Sequence, residues 1–164
     1  MNRILACFLA AALVLSFSGC KTQDPGDVTF YYSRSPEQYQ YYAGDGVIRT
    51  EMRTLSGHRQ DLQYLVGLYL AGPLDESLIS PFPKSIHLLS VEQTGSAVHI
   101  ELTDQSRIMS DSEFSLACAC LTMTCTQFTG CDSVTVISGD RTITMNADSI
   151  LFMDPLPQQE TTGG

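Results

Sequence analysis

The stretch "YLVGLYLAGPLDESLISPFPKSIHLLSVEQTGSAVHIELT", Tyr64 to Thr103, changes its hydrophobic period partway along, and that change decides the fold. Leu62, Leu65, Val66 and Tyr69 fall three and four residues apart, so they line one side of a helix that can lie on a sheet. Ala71-Gly72-Pro73 ends that helix: Gly72 can take left-handed backbone, and Pro73 has no amide to continue the ladder. Leu74 to Lys84 reads as a connection stiffened by Pro81 and Pro83. From Ile86 to Leu102 the pattern becomes that of a hairpin turning near Thr94-Gly95. With those residues as the loop, Leu89 and Val91 share a core face with Ile100 and Val98.

Working outward, "VTFYY" (Val28–Tyr32) is rich in β-branched and aromatic residues and reads as a strand. Ser33 to Gly46 is a tyrosine-rich loop closed by Gly44-Asp45-Gly46, and Val47 to Leu55 alternates as a strand with one wet face. Downstream, Ser110 stands three residues before Glu113, the spacing of a capping box. Phe114, Ala117, Cys118, Leu121, Cys125 and Phe128 then form an apolar stripe on a second helix that Gly130 can stop. Ser133–Ser138 and Arg141–Met145 are strands around a Gly139-Asp140 turn. The order predicts an α+β fold: a mostly antiparallel mixed sheet packed against two helices. Residues 1–19 read as a signal peptide, 20–27 as a tether, 28–155 as one domain and 156–164 as a disordered tail.

The ordered set Gly72-Pro73, Ser80-Pro81-Phe82-Pro83, Leu88-Leu89-Ser90-Val91, Gly95 and Ile100-Glu101-Leu102-Thr103 resembles the GerMN domain of sporulation and spore-germination proteins, best over residues 61–148. The chain departs from the family pattern at Ser77, where glycine is common, and at the cysteines of the second helix. The resemblance implies a GerMN-like fold, related to ring-building motifs, that packs against neighbouring subunits rather than breaking bonds. It also implies a lipoprotein of the cell envelope. Within it, Gly72, Pro73, Ser80, Pro81, Pro83 and Gly95 are scaffold positions: caps, turns and stiffeners.

At the amino end, Arg3 precedes an apolar run from Ile4 to Phe17, too short for the ~20 residues of a spanning helix. Ser18-Gly19-Cys20 follows, the pattern of a bacterial lipobox, with Phe17 where leucine is usual. Cys20 is therefore the expected lipid attachment point, holding the domain at the extracytoplasmic face of the cell membrane. An ordinary secretory signal cut near Gly19, leaving a free Cys20 thiol, is the other reading. The 9 basic and 18 acidic residues give a net charge of -9, which argues against nucleic acid and anionic headgroups as partners.

Cys118, Cys120, Cys125 and Cys131 invite a metal or cluster reading, but helix geometry opposes it. At about 100° per residue, Cys118 and Cys120 diverge by about 160°, and Cys118 and Cys125 are about 10.5 Å apart along the axis. Cys118 and Cys125 fit a buried stripe, Cys131 can fold back toward Cys125, and Cys120 is the candidate accessible thiol. His58, His87 and His99 do not converge in this register. Asp75-Glu76 fits a loop and Asp111 with Glu113 a helix start, so no cofactor and no catalytic group is assigned. Tyr39, Tyr41 and Tyr42 are a candidate contact surface, since exposed tyrosine gives rigid amphipathic area. The expectation is a lipid-anchored, non-catalytic envelope module with an unidentified protein partner or further copies of itself. A ligand- or glycan-binding lipoprotein is the first rival and a peptidoglycan hydrolase the second.

Overall fold

The computed structural model describes residues 26–34, 47–55, 57, 58, 60–104 and 108–150. Cys20, the signal segment, Tyr39, Tyr41, Tyr42 and the 156–164 tail lie outside the described residues. The elements run β1 (Asp27–Arg34), β2 (Ile48–Thr54), α1 (Leu62–Leu70), β3 (Leu78–Ile79), β4 (Leu88–Thr94), β5 (Ala97–Leu102), α2 (Asp111–Thr129), β6 (Ser133–Ser138) and β7 (Arg141–Asn146), with a 3-10 turn at Ala147–Ser149. The fold is α+β, and its strands form two sheets rather than one: β2-β1-β3 and β4-β5-β6-β7. Neighbours are antiparallel except β5 and β6, which run parallel. A parallel pair needs a crossover, and α2 supplies it.

Both helices start and stop where local chemistry directs. Asp61 caps α1 by accepting from the Tyr64 amide at 2.9 Å. Ser110 and Glu113 exchange the two bonds of a capping box, and Gly130 ends α2 with left-handed backbone (φ 60°). Leu65, Val66 and Tyr69 are the buried side of α1, as its spacing predicts.

The β4–β5 hairpin turns at Gly95-Ser96, one residue beyond the expected place, because Gly95 takes the positive φ (61°) and Thr94 stays in the strand. Val91 therefore opposes Ile100 rather than Val98. A bulge between Leu88 and Ser90 shifts the alternation, so Leu88 and Val91 are half-buried while Leu89 is 59% exposed.

The second departure concerns β2. Its inward positions carry Glu51 and Arg53 beside Phe30 and Val28 of β1, while Met52 points outward at 59% exposure. The expected wet face thus holds the apolar residue and the covered face holds the charges. The Pro-rich connection also contains β3, a two-residue strand that pairs with Ser33 and Arg34.

α2 packs on β1 from the three-stranded sheet and on β6 and β7 from the other. Ala117, Cys118, Cys120, Leu121, Thr122, Thr124 and Cys125 are all buried in consequence. Along β1, beyond the reach of β3, helix side chains serve the strand: the Tyr31 amide donates to Thr124 Oγ1 (3.1 Å) and Gln127 Nε2 donates to the Thr29 carbonyl (3.2 Å). Tyr69 of α1 stacks on Tyr32 with ring centres 5.1 Å apart and meets the Phe82 ring edge-on at 6.3 Å. Phe82 in turn meets Phe114 edge-on at 6.5 Å. This chain of rings joins β1, α1, the Pro-rich connection and α2.

The Tyr69 hydroxyl is buried with no hydrogen-bond partner among the described residues. Tyr69→Phe should therefore leave stability unchanged or raise it by up to about 1 kcal/mol. Tyr69→Ala should cost about 3–5 kcal/mol, because the rings around it cannot collapse onto the space. Urea unfolding midpoints of the two variants check the pair.

Candidate interaction site at the Gly-Pro corner

Residues two apart on a strand point the same way, so Glu51 and Arg53 of β2 reach together across β1 toward the chain leaving α1. The Arg53 guanidinium lies over the Phe30 ring, 4.7 Å from its centre, and donates to the Gly72 carbonyl at 2.8 Å and the Tyr32 hydroxyl at 3.4 Å. Its Nε pairs with Glu51 Oε1. The other Glu51 oxygen accepts from the Leu74 and Asp75 amides, each at 2.8 Å. Burial alone would raise the Glu51 carboxyl, but the bonds from Asp75, Arg53 and Leu74 outweigh it and hold the group below the usual carboxylate value. Next along the chain, Asp75 accepts from the Ser77 amide at 2.8 Å, and its bonds from Ser77 lower its pKa. The backbone from Gly72 to Ser77 is thus fastened at nearly every residue before β3 begins.

Beyond this corner lies a cleft of about 470 Å³ between the end of α1 and the Pro-rich segment. Leu70, Gly72, Pro73, Leu78, Phe82 and Pro83 give it largely apolar walls, with Ser80 inside and Lys84 at the rim. Ser80 Oγ is buried there with no hydrogen-bond partner among the described residues. Four of the scaffold positions picked out by sequence, Gly72, Pro73, Ser80 and Pro83, line this one cleft. Pro81 lines a shallower recess beside it with Ile108 and Glu113, and Gly95 lies apart in the β4–β5 turn. Such walls can hold an apolar side chain, with one hydroxyl and one ammonium to orient it.

The remaining candidates do not gather. Cys120 is a correction: it is fully buried, not accessible, because α2 is covered by β1 as well as by the four-stranded sheet. Cys118, Cys125 and Cys131 are buried too, and none of the four forms a disulfide among the described residues. Burial pushes Cys118 and Cys120 up to about 12 and raises Cys125 as well, the opposite of an activated thiol. His58 stacks on Tyr64 at 4.2 Å and faces Asp61 at 3.8 Å, while His87 and His99 are exposed on the four-stranded sheet's side. Among the described residues no three His, Cys, Asp or Glu side chains are placed to hold a metal. Glu113 is occupied in its capping box and Asp75 in its own turn. Sequence reasoning passed over Glu51 and Arg53. Their i, i+2 spacing in a strand rich in charge was the available signal.

The family described as Germane, sporulation and spore germination, matches residues 29–144. Among solved structures, the chain is similar to a candidate lipoprotein from Clostridium perfringens, with 20% identity, a TM-score of 0.44, and coverage of 70% of this chain and 75% of that one. It is also similar to the tandem GerMN domains of the sporulation protein GerM from Bacillus subtilis, with 16% identity, a TM-score of 0.48, and coverage of 76% of this chain and 43% of that one. No curated protein matches the chain.

Two outcomes follow from this geometry. Cys118, Cys120, Cys125 and Cys131 should resist a thiol reagent at mildly alkaline pH and label at least on the order of 10²-fold faster in urea, as mapped by mass spectrometry. Ionised Glu51 should contribute stability fully above the ordinary glutamate value of about 4.3, and that contribution should drain as pH falls through its lowered native value. Urea titrations from neutral to acid pH should show a steeper loss for the natural chain than for Glu51→Gln, which has no charge there to lose.

Proposed function

The chain belongs to the Germane family of sporulation and spore germination, and from that premise we propose that it is a non-catalytic interaction module of the bacterial cell envelope. It is fastened by lipid on Cys20 to the extracytoplasmic face of the membrane. The observation that carries the reading is the use to which the chemistry-bearing groups are put. Glu51 and Arg53 are spent on fastening the Gly-Pro corner, and Cys118, Cys120 and Cys125 are buried with raised pKa values. Groups held this way build a surface; they have no freedom to shuttle protons or attack a substrate.

The anchor reading is supported by the run from Ile4 to Phe17 ending in Ser18-Gly19-Cys20. Among the described residues no helix is long and apolar enough to cross a membrane. Acyl chains on one cysteine would confine the domain to two dimensions and raise its effective concentration for membrane partners. A second reading, capture of a small ligand or glycan, is favoured by the 470 Å³ cleft with its unpartnered Ser80 hydroxyl. Saturable binding of peptidoglycan fragments that Ser80→Val abolishes would select it.

Intact-mass analysis of the protein extracted from membranes should find diacylglycerol on Cys20. Cys20→Ala should move the chain from the membrane to the soluble fraction. An unmodified amino terminus on the natural chain, or a Cys20→Ala variant that stays membrane-bound through alkaline washing, would refute the anchor.

A further inference from the structure

Resting on the interaction-module reading, we propose that the outer edge of β4 is a docking strand, and that it takes an extended, basic segment of a partner protein. A sheet edge is a row of backbone donors and acceptors awaiting another strand, and proteins guard such edges with inward charges, bulges or short length. Here the guards are unequal. β2 turns Glu51 and Arg53 inward, β3 has two residues, β7 turns Arg141 inward over the Phe114 ring, and the open half of β1 bonds to Thr124 and Gln127. β4 turns Leu88 and Val91 inward, and its bulge leaves Ser90 to Thr94 in regular register with β5. Among the described residues nothing pairs with its outer side.

Beside that edge runs a groove of about 390 Å³, walled by Gln63 and Gly67 of α1 and by Leu88 to Glu92 of β4. An edge strand beside a helix is what an added strand requires: backbone bonds on one side and a trough for alternate side chains on the other. Gly67 fits the same use. It sits mid-helix, where glycine is unfavourable, yet it has ordinary negative φ and a side chain there would meet nothing within 4 Å. The packing of the domain does not call for glycine at that place; an open trough does. Leu89, 59% exposed, offers apolar area at one end.

Charge selects the occupant. Glu92 lines the groove, Glu101 lies on the neighbouring strand, and α1, β4 and β5 contain no lysine or arginine. A basic strand complements this edge. A second copy does not, since each chain carries a net charge of -9 and pairing of two β4 edges would bring Glu92 near its counterpart.

The test uses the full chain in detergent and a fluorescent synthetic peptide alternating lysine and valine. A glutamate–valine analogue and a version with a central proline serve as controls. The lysine peptide should bind, protect amides of Leu88–Thr94 from hydrogen exchange, and bind about tenfold or more tightly than either control. Gly67→Leu should abolish binding with an unchanged or higher unfolding midpoint, and Glu92→Lys should weaken it about tenfold. No binding, equal binding of the acidic analogue, full binding by Gly67→Leu, or self-association protecting the same amides would each overturn the proposal. Peptide binding does not depend on lipid at Cys20, so a failed anchor and a failed docking edge give separate results.

Discussion

One helix between two sheets is the constraint on which the rest of this structure depends. α2 touches β1 as well as β6 and β7, so both sheets cover it and its remaining open face is narrow, with Leu116, Ala119 and Met123 half-buried along it. Two sheets can close on a helix only if its side chains are short, and the buried positions through its middle are alanine, cysteine, threonine and one leucine. The three helical cysteines follow from this. They are small, apolar and tolerant of burial, which is enough to account for them without metal or redox chemistry. Threonine at 122 and 124 belongs to the same economy of volume. Thr124 satisfies its own hydroxyl on the Cys120 carbonyl at 3.0 Å, so its burial leaves no donor stranded.

What could be read from the chain, and what could not, divides along the range of the interactions. α1, α2, the capping box at Ser110, the Gly130 stop and the β6–β7 hairpin all rest on contacts within a few residues, and they stand where the spacing puts them. The division into two sheets depends on which strand meets which across the chain, and local pattern carries no record of that. Cys120 shows the cost. A single apolar stripe predicts one covered side, and only the arrival of β1 on the opposite side buries this thiol. β3 is too short for any periodicity, and the β4 bulge moved Leu89 out of the core by shifting a strand that otherwise alternates.

The same division applies to the candidate site. Gly72, Pro73, Ser80 and Pro83 are prominent as punctuation, and they meet in one cleft. Their partners were not visible, because Glu51 and Arg53 come from a strand some twenty residues earlier, and a charged strand face ordinarily reads as solvent-facing. The corner is built by tying two backbone amides and one carbonyl to a single ion pair. A buried ion pair is weak evidence for stability, since desolvation offsets much of the attraction. Here its value is positional: it fixes where the Pro-rich segment begins and therefore the width of the cleft.

The bonds from Thr124 and Gln127 to β1 have a consequence beyond the strand they serve. A helix that substitutes for a neighbouring strand seals that flank, so the open half of β1 takes no further strand. The four-stranded sheet ends at β4 and β7, and neither outer side pairs with a strand among the described residues. The two sheets therefore differ in what borders them: at β1 a helix takes the place that a further strand would hold, and at β4 no described residue takes it.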